Sequence, residues 1–186
     1  SKFYGSDVIL GPEMKSTGEA MGIDTTFGKA FAKSQLSAGV TIPLKGNVLV
    51  SVKNSDKEIV RGCIQDLSQI GFKIYATKGT ANFLQVMGLN CKTIKKVKEG
   101  SPNIVDYMDE GKINLIFNTT EGSQAIRDSF TLRRSAINNK IPYYTTTAGA
   151  KAVVEAIKTI IKKELDVCSL QKFFKKEKLG NFIKLG

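Results

Sequence analysis

Histidine is absent from all 186 residues, and cysteine occurs three times, at Cys63, Cys91 and Cys168, far apart and never as a C-x-x-C pair. The lack of histidine removes the commonest general base near neutral pH. It rules out Ser-His-Asp and Cys-His catalytic arrangements within this chain. Three scattered thiols without histidine do not predict a disulfide framework or a zinc site of the usual Cys/His type, and reduced thiols in a cytoplasmic protein are expected. No run of about 18 apolar residues occurs, so no membrane span is expected. The first residues, Ser1–Gly5, have no basic start followed by an apolar stretch, so no signal peptide is expected, and they read as a start inside something larger. No Walker A pattern, no G-x-G-x-x-G and no internal repeat appears, which leaves no ATP or NAD catalytic signature.

What is present is a core-forming composition, 41% hydrophobic, and a formal net charge of +11 whose densest cluster lies in the last 25 residues, 162–186. A basic chain fits nucleic acid, an anionic metabolite or an acidic partner surface. No nucleic-acid-binding motif accompanies the charge, so no nucleic-acid partner is expected.

Apolar runs alternate with helical periodicity from residue 46 onward. Asn47–Lys53 reads as a strand. Ser55 or Asp56 is a candidate cap for a helix carrying Ile59, Val60, Cys63, Ile64, Leu67 and Ile70 and ending at Gly71. Phe72–Ala76 is a second strand, Thr77–Thr80 a tight connection, and a short helix runs to Gly88. Lys92–Val97 is a third strand, and Glu99–Pro102 breaks the chain before a short helix ending at Gly111. Ile113–Phe117 is apolar throughout, as in a strand buried on both faces. Asn118–Gly122 is its loop, 125–137 a helix, Tyr143–Thr146 a last strand, and Ala152, Ala156 and Ile160 mark a final helix. Five strands alternating with helices predict an α/β fold: a five-stranded parallel sheet flanked by helices, with right-handed crossovers, in a Rossmann-type three-layer sandwich. Residues 1–45 do not fit the alternation and read as an appended segment with one helix near 25–37. Residues 46–165 form the α/β domain. Residues 166–186 are a Lys/Phe-rich tail in which Phe173, Phe174, Phe182 and Ile183 suggest a packed helix.

Open parallel sheets bind ligands beyond the carboxyl ends of their strands. Three loops there share one composition: Thr77-Lys78-Gly79-Thr80, Asn118-Thr119-Thr120 and Thr145-Thr146-Thr147-Ala148-Gly149. Hydroxyls, small residues and free backbone N–H groups at helix N-termini suit a phosphate. Lys57, just into the first helix of the domain, and Lys96, ending the third strand, are placed to neutralise its charge. Thr and Gly are also ordinary caps and turn residues, but their recurrence in three corresponding loops favours binding. Ser129 either faces this site or is a helix-surface serine. Arg133-Arg134 is a solvated or ion-paired helix face, or a contact to a partner domain.

Gly11-Pro12-Glu13-Met14-Lys15-Ser16-Thr17-Gly18-Glu19-Ala20-Met21-Gly22 is similar to the segment that closes the second ATP-grasp unit of carbamoyl phosphate synthase large chains. The stretches GFKIYATKGTA, KVKEGSPNI, FNTTEGSQAIRDS and LRRSAI resemble the C-terminal regulatory domain of that family, which has the methylglyoxal-synthase-like fold. The resemblance runs over residues 7–160. It implies a glutamine-dependent ligase of pyrimidine and arginine biosynthesis whose ATP-grasp units, using ATP with Mg or Mn, and glutaminase small chain lie outside this chain. It implies a non-catalytic allosteric domain that binds UMP as inhibitor and IMP as activator, with no cofactor of its own. Carried over residue by residue, the nucleotide contacts are Lys57, Thr77, Thr80, Lys96, Asn118, Thr120 and Ser129, with Lys78 and Gly79 between the threonines. The ornithine contact is Thr145, and the remaining ornithine ligands lie upstream. Two departures stand out: Lys78 replaces a histidine common in relatives, and Tyr144 replaces an acidic residue common before the threonine pair. The enzymatic alternative on this fold is a methylglyoxal synthase-type lyase acting on dihydroxyacetone phosphate. Its catalytic aspartate region is occupied here by Gly100-Ser101-Pro102-Asn103, and its histidine is missing.

Overall fold

The computed structural model describes residues 20–119, 123–162, 165–166 and 168–174, with the side chains of 123–129 outside the description. Five parallel strands lie in the order β3-β2-β1-β4-β5: β1 Asn47–Ser51, β2 Lys73–Thr77, β3 Cys91–Ile94, β4 Leu115–Asn118 and β5 Tyr143–Tyr144. The helices are α1 Phe27–Ser37, α2 Lys57–Ile70, α3 Lys78–Val86, α4 Ile104–Asp109, α5 Ser123–Asn138 and α6 Thr147–Ile161.

Side-chain alternation along β1 divides the layers. Val48 and Val50 point into one core with Val60, Ile64 and Leu67 of α2, Leu84 of α3 and Val153 and Ile157 of α6. Leu49 points into the other, with Ile104 and Met108 of α4 and Leu132 and Ala136 of α5. The chain first builds outward from β1 to β2 to β3 with α2 and α3 on one face. It then returns to build β4 and β5 on the other side of β1, which places α4 and α5 on the opposite face. Right-handed crossovers require that change of face when the direction of strand addition reverses. The reversal leaves β1 and β4 as neighbours whose following helices diverge, and the resulting crevice lies at their carboxyl ends.

Several boundaries differ from those expected. Asp56 stands at the N-cap of α2, but without a side-chain hydrogen bond to the helix. A 3-10 turn, Asn54–Asp56, leads into it, and Ser55 spends its hydroxyl on Asp56. Gly71 does close α2, in the left-handed conformation at φ 104°. Thr77–Thr80 is not a loop: extended Thr77 ends β2 and α3 begins at Lys78 with no linking residue. The third strand stops at Ile94, because Lys96 caps a 3-10 turn with its backbone N–H donating to Glu99 at 2.9 Å. The last strand is two residues, because Thr146 turns to cap α6, its Oγ1 accepting from Gly149 N–H at 3.0 Å.

Helix α1 lies against α6. A Cβ on Gly28 would come within 3.1 Å of Thr159 Oγ1 and 3.3 Å of Glu155, so glycine permits the close approach. Ala32 and Ile42 join the α2/α6 core. In the tail, residues 170–174 are helical with Phe174 exposed, while Phe182 and Ile183 lie outside the described residues.

Candidate functional site

The parallel register brings three polar residues to one line at the sheet's carboxyl edge. Ser51 ends β1 and pairs with Asn118, which ends β4. Thr77 ends β2 on the other side of β1, and its hydroxyl donates to Ser51 Oγ at 3.4 Å. Just beyond, the Lys53 N–H donates to Thr119 Oγ1 at 3.1 Å and the Thr119 N–H to the Ser51 carbonyl at 3.1 Å. The end of β1 is thus the floor of the crevice, with Thr77 and Asn118 on its two sides. Both are buried. Asn118 Nδ2 donates to the Tyr143 hydroxyl, which ties the crevice to β5.

Thr80 belongs to the same cluster but serves another purpose. Its Oγ1 accepts from Val52 N–H at 3.3 Å and donates to Val52 O at 3.4 Å, and the side chain is buried. It braces the first turn of α3 to the chain leaving β1.

The electrostatics gather at the start of α3. Thr77 makes no side-chain cap, and no acidic residue lies in the helix's first turn. The first N–H groups of a helix lack intrahelical acceptors and carry partial positive charge. Exposed Lys78 opens the helix, and Lys57, reaching across from the start of α2, donates from Nζ to Gly79 O at 2.7 Å. Two ammonium groups at a helix N-terminus work against the macrodipole, and an anion placed between them reverses the sign of that interaction. A Cβ at Gly79 would make only an ordinary contact with Lys57 Nζ, at 3.8 Å, so the approach does not depend on glycine. Lys96 stands exposed past the end of β3, two strands from β1.

Thr77, Lys78, Gly79, Thr80, Lys57 and Asn118 therefore gather at the carboxyl ends of β1, β2 and β4 and the starts of α2 and α3, and Lys96 lies past the end of neighbouring β3. Thr120 and the Ser129 side chain lie outside the described residues. Thr145 is separate: it is exposed past β5, at the far edge of the sheet. Sequence reasoning missed Ser51 and Tyr143, while Thr119 lies in a loop it had singled out. Matching the last residues of neighbouring strands would have found Ser51, whereas Tyr143 carries no local signal beyond that of a core aromatic.

The region of Gly100–Asn103 forms a helix cap. Asn103 Oδ1 accepts from Val105 N–H, and Asp106 accepts from Asn103 N–H and Ser101 Oγ, each at 2.8 Å. The Asn103 amide and then the Ser101 hydroxyl hold the Asp106 carboxyl below its ordinary range. A carboxylate so engaged is a cap and not a poised base.

A family model described as the MGS-like domain matches residues 61–145. This segment of the chain is similar to the MGS-like domain. Beyond the matched segment, the domain and its flanks are 49% identical over 175 residues to the C-terminal section of the carbamoyl phosphate synthase large chain of Methanopyrus kandleri, covering 94% of this chain and 32% of that one. Identity is 50% over 174 residues with the large chain of Rhizobium meliloti, covering 94% of this chain and 15% of the relative. The C-terminal section from Aquifex aeolicus is 47% identical over 178 residues, 93% of this chain and 33% of its own length. The chain thus spans a third or less of each of these relatives. No helix among its described residues is long and apolar enough to cross a membrane.

Proposed function

We propose that this chain is the C-terminal allosteric section of a glutamine-dependent carbamoyl phosphate synthase large chain, and that the crevice between β1, β2 and β4 binds nucleotide effectors, UMP as inhibitor and IMP as activator. The observation that carries this reading is the uncapped N-terminus of α3 with Lys57 and Lys78 beside it, adjoining the polar floor Ser51–Thr77–Asn118. The phosphate sits against the first turn of α3, Lys57 turns from Gly79 O toward it, and Lys78 and Lys96 add charge at the rim. Thr80 holds the turn in place, and Thr120 and Ser129 complete the contacts. The domain performs no chemistry itself. Its effectors change catalysis by ATP-grasp units elsewhere in the same enzyme, because they bind two conformations of the whole unequally. Thr145 contributes to an ornithine site completed by residues outside this chain, with the glutaminase small chain as a further partner.

Calorimetry of this chain with UMP and with IMP, at low and at high salt, tests the reading. Saturable binding that weakens as salt rises is expected, because charged contacts at an exposed rim are screened. Absence of binding by both nucleotides would overturn it.

A further inference from the structure

Lys96 stands exposed past β3, two strands from β1, so its long side chain serves the effector only if the backbone beneath aims it. That backbone is tied down in stages. Lys95 pairs with Asn103, and Lys95 O accepts from the N–H of Ile104, the first residue of α4, at 3.0 Å. Lys96 is then extended, ahead of the 3-10 turn Val97–Glu99. Val97 packs, partly buried, against the core of α4 and α5. Glu99 closes the turn twice. Its N–H donates to Lys96 O at 3.0 Å, and its carboxylate accepts from Lys96 N–H at 2.9 Å. Reciprocal bonds of this kind fix the residue that opens a helical turn, and with it the direction in which that residue's side chain leaves the backbone.

We infer that Glu99 is a positioning residue for effector binding: its carboxylate holds the Lys96 backbone so that the ammonium is presented toward the effector's phosphate. This role rests on the proposed effector site and gives Glu99 no contact with the nucleotide. The carboxylate has two opposed effects. Its charge repels a nearby anion, while its hydrogen bond keeps the turn that carries Lys96. Without the bond the turn opens in part of the population, and apparent affinity falls by the fraction that still holds it.

The test is UMP calorimetry on the parent chain, Glu99→Ala, Glu99→Gln, Lys96→Ala and the Glu99→Ala/Lys96→Ala double variant, with thermal unfolding of each sample. Glu99→Ala should weaken UMP about two- to tenfold. Glu99→Gln keeps an acceptor and removes the charge, so it should stay within about twofold of the parent. Glu99→Ala should have no further effect once Lys96→Ala is in place, because it acts through that side chain. Glu99 is exposed, so Tm should move by no more than about 5 °C in Glu99→Ala. Unchanged UMP affinity in Glu99→Ala, a loss in Glu99→Gln as large as in Glu99→Ala, or full additivity with Lys96→Ala would overturn the positioning role and leave the effector site standing. Absence of UMP binding by the parent chain would overturn the effector reading and this role with it.

Discussion

Replacing Lys57 by methionine separates binding from folding more cleanly than any other change at the crevice. In the free domain the ammonium donates one hydrogen bond, 2.7 Å long, to Gly79 O at a half-buried position. Losing that bond costs about 0.5–1.5 kcal/mol. Removing a cation from the N-terminus of α3 returns about 0.3–1 kcal/mol. The two nearly cancel, so Tm should move by no more than about 4 °C. Binding is different. A charge-assisted bond to a phosphate contributes about 1.5–3 kcal/mol, less the Gly79 bond given up, for a net of about 1–2 kcal/mol. UMP affinity should therefore fall roughly five- to thirtyfold. Lys57→Arg, which keeps the charge, should stay within about threefold of the parent protein. Calorimetry and thermal unfolding of the same samples give both numbers. Unchanged UMP affinity in Lys57→Met, or a Tm loss well beyond 10 °C, would refute the assignment, the first by removing the phosphate role and the second by making the lysine structural.

Thr80→Val removes both partners of the Val52 peptide and leaves its buried N–H unpaired, so stability should drop by about 1–3 kcal/mol in a denaturant titration. Gly46→Ala should be worse than an ordinary loop substitution. Gly46 has φ 121°, and a Cβ would sit 2.2 Å from Asn114 Oδ1, the acceptor for Asn47 N–H at the start of β1, so a loss above about 2 kcal/mol is expected in the same assay. The acid limb of stability should respond to Asp106. Its folded carboxyl titrates below the unfolded value of 3.8, so its contribution is present above that pH and lost as pH falls through the depressed value. Asp106→Asn should flatten that limb in a pH series of unfolding midpoints, and an unaltered slope below pH 4 would remove Asp106 from the account.

Local patterns determined much of this protein. Alternating apolar runs and 3.6-residue periodicity were enough to predict five strands, their helices and a parallel sheet. The lysines and threonines of the crevice were legible because helix starts after parallel strands are where anions bind. The tertiary structure decided what each of those residues does. Thr77 and Thr80 look alike in sequence, yet Thr77 reaches Ser51, 26 residues away, at the crevice floor, while Thr80 is spent on Val52, 28 residues away. Lys57 meets Gly79, 22 residues on, only because β1 and β2 lie side by side. Thr145 shares the composition of the other loops but stands past β5, at the far edge of the sheet. Periodicity reports which face of an element is buried. Strand order and register bring distant residues together, and they follow from packing the whole chain, which no local window of residues contains.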